Sequence, residues 1–323
     1  MSAVRIIALA TGALLLSPFA ASAQAWPSRS VTMIVPFPAG GTADLLARGV
    51  AQALSDELGQ QFVVDNRPGA GGTIGAAAVA RAAPDGYSLL FASGSLAALN
   101  KFMFKDLPYD PTHDLIPIAL VIKIPTAIAA GINAPINNFQ AMVDYAKANP
   151  GKLSIGHAGV GSMAHITLEL LARKAGIVLT GVPYKGGPPM ATDLLGGHIP
   201  LASDLLSNFV ALAADKKVRL LAVANAQRMS SLPDVPTVQE LIHAPFDATA
   251  WFTIMAPAGT PAAIVQTVNA VTNQYLQSAA GRDLIARQSA EAGGGTPEDA
   301  AAFVRREIEK WKPVIEAARI SLN

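Results

Sequence analysis

The chain of 323 residues contains no cysteine. That absence excludes disulfides, thiolate zinc sites, iron–sulfur clusters and a cysteine nucleophile together. It also suits an oxidising compartment, where a free thiol is a liability. Charge is scarce: charged residues are 15% of the chain and the formal net charge is +1. No field of one sign is available for nucleic acid or an anionic membrane surface, so no nucleic-acid partner is expected. Histidines His113, His157, His165, His198 and His243 show no paired ligand spacing, so neither a metal nor a cofactor is expected. Long apolar runs are missing beyond the N-terminus. There, Arg5 precedes the apolar stretch 6–16, too short to span a bilayer, and Ala21-Ser22-Ala23 and Ala23-Gln24-Ala25 both fit the small-x-small cleavage rule. Residues 1–25 therefore read as a signal peptide cut after Ala25, or after Ala23, and the mature protein as exported, with no direct membrane insertion and no lipid anchor.

What is present is ample apolar material, 51% of the chain, which makes disorder unattractive and gives enough length for two domains. The organising stretch is Val31 to Asp44. Val31 to Val35 is a short β-branched run, Pro36 stops it, and Phe37 to Gly41 is a turn rich in proline and glycine. Leu46, Val50, Ala53 and Leu54 then recur at helical spacing, with Gly59 placed to end the helix. Thr42 stands where an N-cap belongs, and Asp44 lies in the first turn, where a negative charge suits the helix dipole. A strand, a glycine-rich loop and a helix start make a place for an anion. The first helical N–H groups have no internal partner, and the dipole adds roughly half a positive charge.

The pattern repeats. Strands are expected at 62–65 and 88–92, with a short helix at 74–82 between them. The loops starting at Phe37, Asn66 and Ser93 then share the carboxyl edge of one parallel sheet, where ligands of such sheets sit. Residues 115–130 read as an extended crossing to a second βα series. It comprises helix 139–148, strand 153–155, helix 162–175, strand 178–182, helix 189–195, strand 199–203, helix 205–214 and strand 219–224. A second crossing, 251–256, leads to helices at 261–277, 282–290 and 297–318. The expected architecture is α/β with two lobes, each a βα sheet flanked by helices, joined by two crossing strands. Lobe 1 is 26–124 plus 250–323 and lobe 2 is 125–249, with a cleft between them.

Lobe 2 carries its own device. Gly156-His157-Ala158-Gly159-Val160-Gly161-Ser162 ends a strand and opens a helix, with Ser162 as N-cap candidate. Two such helix starts across a cleft suit a ligand with an anionic group. At this point the chain resembles the solute-binding receptors of tripartite tricarboxylate transporters, the Bug or TctC family. The resemblance rests on Trp26-Pro27-Ser28-Arg29, Val35 to Asp44, Asn66 to Gly75, Ala83 to Tyr87, Gly159 to Ser162 with His165, Val182 to Gly186, Leu194 to Gly197 and Ala256 to Pro261. It implies a periplasmic-binding-protein (Venus flytrap) fold. It also implies a monomeric periplasmic receptor that is not an enzyme and that hands a small mono- or dicarboxylate, aliphatic or aromatic, to membrane permease subunits. In that family two glycine-rich loops pinch a carboxylate through backbone amides, hydroxyls and water. Carried onto this chain, the loops are Phe37 to Thr42 and Ala158 to Ser162. The chain departs from the family pattern at His157, where a small residue is usual, and at Phe252-Thr253, where a glycine is usual.

The candidate ligand-binding residues are Phe37, Ala39, Gly40, Gly41, Thr42, Ser93, Ala158, Gly159, Gly161, Ser162, His165 and Asp204. His165 reads as a buried residue that braces its loop; a Ser162–His165 hydrolase lacks the G-x-S-x-G elbow and an orienting acid. His157 reads as an exposed turn residue or a ligand contact. Asp204 reads as an N-cap for the helix from Leu205, a ligand contact, or both. Lys185 reads as a solvated loop residue, and Arg48 as part of a surface or interlobe pair. The stretch Gly69 to Gly75 mimics a dinucleotide fingerprint but follows the second strand and lacks the acidic residue that would bind a ribose. Two other functions stay open on sequence alone: presentation of ligand to a sensor kinase, and an exported enzyme acting on a carboxylate or ester.

Overall fold

The computed structural model describes residues 26–322; the expected signal peptide lies outside the described residues. The first unit alternates as its sequence period demands. Strand β1 (Val31–Val35) is nearly all buried, and helix α1 (Thr42–Leu58) buries Leu46, Ala47, Val50 and Leu54 along one stripe and ends at Gly59. Strand β2 (Phe62–Asn66), helix α2 (Thr73–Ala80) and strand β3 (Ser88–Ser93) follow, and β1 pairs in parallel with both β2 and β3. The exits of β1 and β3 therefore lie side by side. Beyond β3 the sequence reading missed a π-helical turn, Ser95–Leu99, and a 3-10 turn, Asn100–Phe102. Leu96 to Leu99 are fully buried there.

Strand β4 (Leu115–Gly131) then takes part in both halves of the sheet. It is followed by α3 (Phe139–Ala148), β5 (Ser154–His157), α4 (Met163–Ala175), β6 (Thr180–Pro183), α5 (Gly187–Gly196) and β7 (Leu201–Leu205). Next come α6 (Val210–Ala214), β8 (Val218–Val223), α7 (Val238–Ile242) and β9 (Thr249–Pro257). Helices α8 (Ala262–Gln277) and α9 (Ala279–Arg287), strand β10 (Glu291–Ala292) and helix α10 (Pro297–Ala318) complete the described chain.

The strands make one continuous mixed sheet of ten, in the order β2-β1-β3-β9-β4-β7-β5-β6, with β8 and β10 also on β4. From Leu115 to Pro125, β4 pairs antiparallel with β9; from Thr126 onward it pairs with β7 and from Ala127 also with β8. The partners change at one residue. Thr126 is fully buried. Its hydroxyl donates to the Ala248 carbonyl at 2.9 Å and lies 3.0 Å from the Thr167 hydroxyl of α4, so both crossings and α4 meet at a single side chain. One apolar cluster runs from Ile34 and Leu90 through Trp251 and Trp311 to Ile155 and Leu201, so it reaches from the β1–β3 end of the sheet to the β5–β7 end.

Helix α10 fastens this junction. The Glu307 carboxylate is buried and accepts from the indole N–H of Trp251 at 3.0 Å and of Trp311 at 2.9 Å. Lys310 pairs with Asp247 at 2.9 Å, just before β9, and Lys123 of β4 pairs with Glu291 at 2.7 Å. Trp251 in turn lies against Gly94, where an added Cβ would sit 2.7 Å from the ring, so the β3 exit rests on this indole. Glu307→Ala strands two buried indole donors and should lower stability to urea by about 2–4 kcal/mol, while Glu307→Gln, which keeps a carbonyl acceptor, should lose about half of that. Equal stability of Glu307→Ala and wild type would show that the indoles do not depend on this carboxylate.

Candidate functional site

The first loop departs from expectation at its cap. The N-cap of α1 is Gly41, not Thr42, and no side chain caps it. The cause is Asp44, which is 3% exposed and reaches back to accept the Gly40 N–H at 2.9 Å. Arg48 donates to the same carboxylate at 3.0 Å and Asn66 donates to its other oxygen at 3.0 Å. The second Asn66 amide hydrogen goes to the Phe37 carbonyl at 3.1 Å, tying the loop to the end of β2. Burial raises the Asp44 pKa, but the Arg48, Gly40 and Asn66 hydrogen bonds outweigh it and hold the carboxyl below its ordinary range. The N–H groups of Thr42 and Ala43 open the helix with no intrahelical acceptor. Ala39 and Gly40 are exposed; Gly41 and Thr42 are half-buried. Phe37 meets Phe252 edge-on, with ring centroids 6.3 Å apart, and Phe252 pairs across the sheet with Ser93.

The second loop is built differently. Ser162 caps α4, accepting the His165 N–H at 3.2 Å. Gly161 N–H donates to His165 Nδ1 at 3.2 Å, so Nδ1 is the bare nitrogen and Nε2 carries the ring proton. His157 is neither exposed nor free. It is 2% exposed because it ends the interior strand β5, and its ring stacks on His165 with centroids 4.6 Å apart and planes at 19°. His157 Nδ1 lies 3.0 Å from the Gly159 carbonyl. Gly161 has φ +78°, which disfavours any side chain, and a Cβ there would press on the Leu322 methyl at 2.7 Å. Ala158 and Gly159 are half-buried.

One hydrogen bond brings the two ends together: Ser95 Oγ donates to the Gly161 carbonyl at 3.0 Å. Ser95 follows β3, whose exit adjoins the Phe37 loop, so Ser93, the first loop and the second loop share one junction. Asp204 is a correction. The expected helix 205–214 is a 3-10 turn, Leu206–Asn208, followed by α6, and Asp204 is the penultimate residue of β7 rather than a helix N-cap. It is 3% exposed and accepts from Leu205 N–H at 2.8 Å and Asn208 Nδ2 at 2.7 Å. A Cβ on Gly187 would sit 2.6 Å from its Oδ2, so the start of α5 packs directly on the carboxylate. Burial, against those two hydrogen bonds, pushes its pKa up to about 6. Lys185 is exposed, and Arg48 makes the Asp44 and Asn66 contacts. In the dinucleotide mimic, Gly72 packs on Leu96 and Pro36 and Gly75 on Ile34. Among the described residues no cluster of metal-ligating side chains occurs, and no helix is long and apolar enough to cross a membrane.

Acid should read these groups out. Burial and the neighbouring His157 push His165 down to about 4 from an ordinary 6.5. The unfolded chain therefore takes up this proton first, and the stability contribution is complete above about pH 6.5 and is lost as pH falls toward about 4. Asp204 runs the other way: its contribution is complete below about pH 3.8 and is lost as pH rises through about 6. His165→Asn, which keeps an acceptor for Gly161 without titrating, should lose about 2–3 kcal/mol less than wild type between pH 7 and pH 4 in urea melts. Asp204→Asn should instead lose more than wild type over that interval. Parallel curves for all three proteins would remove both groups from the account.

The profile described as "Tripartite tricarboxylate transporter family receptor" matches residues 46–320. Protein BugT of Bordetella pertussis is 36% identical over 303 residues, 94% of this chain and 93% of its own. The solved structure of R. palustris Rpa4515 with adipate superposes at TM-score 0.86 with 36% identity, over 92% of this chain and 99% of that one. MatC from Rhodopseudomonas palustris with bound malate gives TM-score 0.82 at 32% identity, over 90% and 100% of the two chains.

Proposed function

This chain belongs to the tripartite tricarboxylate transporter receptor family, and on that premise we propose that it captures a small mono- or dicarboxylate in the periplasm and delivers it to the permease subunits of such a transporter. The observation that carries the reading is the junction itself. Two glycine-rich loops each end a strand and open a helix; Ser95 ties the second to the exit of β3, which lies beside the exit of β1 that opens the first. The lobes are 26–124 with 250–323, and 125–249, and the ligand lies between them. The N–H groups of Thr42 and Ala43 and the hydroxyls of Thr42 and Ser162 meet its carboxylate, with Ala39, Gly41, Ala158 and Gly159 giving close backbone approach. The amides of Gly40 and Gly161 are already engaged and shape the loops instead. Phe37 and Ser93 form the wall beside the ligand body, and Asp204 braces α5 without touching the ligand. The half-buried ring of Phe37, set edge-on against the buried Phe252, suits an aliphatic or aromatic body. Rpa4515 and MatC were solved with adipate and malate, both dicarboxylates, which supports this class.

A denaturation screen of aliphatic and aromatic carboxylates tests it. A true ligand at 100 times its Kd should add roughly 2.7 kcal/mol of stability. Thr42→Ala and Ser162→Ala should each weaken binding by about 1–3 kcal/mol. Only Ser162→Ala should also lower ligand-free stability, by about 0.5–2 kcal/mol, because Thr42 caps nothing. No shift with any carboxylate, together with turnover of an ester, would contradict the reading.

A further inference from the structure

Two stacked imidazoles lie beneath the second loop, and direct ligand contact needs neither. The His165 contact is one that only a neutral ring satisfies. The His165 Nδ1 lone pair receives the Gly161 N–H at 3.2 Å, and a proton on that nitrogen would set one N–H against another. The 4.6 Å face-to-face stack would bring any charge on one ring directly over the other. The surroundings offer little to an imidazolium. Glu169 on α4 has its carboxylate 3.7 Å from His165 Nε2, and burial raises the Glu169 pKa, which weakens it as a counter-ion. On the β6 side, Gly181 lies against His157 Nε2 and brings no charge. The cavity of about 210 Å³ beside His165 is otherwise lined by Leu168, Ala172, Ile177, Val178 and Leu179. The pair exists because His157 stands at the end of β5 and His165 in the first turns of α4.

We propose that His157 and His165 are positioning residues for the Ala158–Ser162 loop, holding it in its ligand-competent form while His165 is neutral and releasing the Gly161 amide when His165 takes a proton. The proposal rests on the carboxylate reading of the junction. It does not place either ring against the ligand: His165 acts through Gly161, and His157 acts by keeping His165 neutral through burial and charge. Burial and, to a lesser degree, His157 push His165 down to about 4, so the loop holds at neutral pH and yields only in distinct acid.

The test combines adipate calorimetry with the ¹⁵N–¹H resonance of Gly161 in the ligand-free mature protein. Asn Oδ1 stands close to where Nδ1 stood, so His165→Asn should bind adipate within about threefold of wild type at pH 7, whereas His165→Ala should bind at least about tenfold more weakly. From pH 7 to pH 4, where about half of the wild-type His165 rings carry a proton, the affinity of wild type relative to His165→Asn should fall about twofold, and adipate's own protonation cancels in that ratio. The Gly161 resonance should titrate in wild type, stay fixed in His165→Asn, and titrate at a higher pH in His157→Ser, where the charge that disfavours the His165 proton is gone. A Gly161 resonance indifferent to pH, an unchanged midpoint in His157→Ser, or equal adipate affinity in His165→Ala and His165→Asn would overturn the proposal. Failure of wild type to bind adipate at pH 7 would count against adipate as the ligand, not against the brace, and the Gly161 titration would then decide whether the brace exists.

Discussion

A backbone N–H withdrawn from water needs an acceptor, and the two glycine-rich loops are arranged around that constraint. Asp44 takes the Gly40 amide, and His165 takes Gly161. Each of these acceptors is itself fixed by a second contact: Asp44 by Arg48 and Asn66, His165 by its stack on His157. The loops are therefore rigid without being saturated. The helix starts of α1 and α4 still present N–H groups that the fold does not use. A carboxylate is the ligand that such a remainder fits, and it needs no lysine or arginine to be held.

Rigidity at the loops depends on the junction behind them. Strand β4 exchanges partners between Pro125 and Thr126, and Thr126 binds the other crossing through Ala248 while touching α4 through Thr167. Helix α10 lies across the same region, with Glu307 bridging two indoles and Lys310 reaching Asp247. Because Trp251 supports Gly94, the β3 exit that carries Ser95 to Gly161 is set by this buried group. The loop contact and the crossing thus belong to one packed unit.

Most of the layout was legible because glycine, proline and apolar period mark strand ends and helix starts. β1, the Ser162 cap and the helices 139–148 and 297–318 follow directly from those signals. What escaped depends on partners distant in sequence. Thr42 looks like a cap until Asn66 and Arg48 hold Asp44 in place to reach Gly40. His157 looks like a turn residue until its strand proves interior and His165 rises beneath it. The apolar run Leu96 to Leu99 carries no period that separates a π-helical turn from a strand end, and β10 is two residues long. Asp204 precedes a turn whose residues read as helix formers, so only the pairing of β7 shows where the strand ends.

The most direct measurement is residue-resolved hydrogen exchange on the mature protein with and without saturating adipate. The account predicts slowed exchange at Thr42 and Ala43 of α1 and at Met163 and Ala164 of α4, with little change at Gly40 and Gly161, whose amides are already bonded within the protein. Protection confined to the cavity between α4 and β6, or to neither loop, would contradict capture of a carboxylate by the two helix starts.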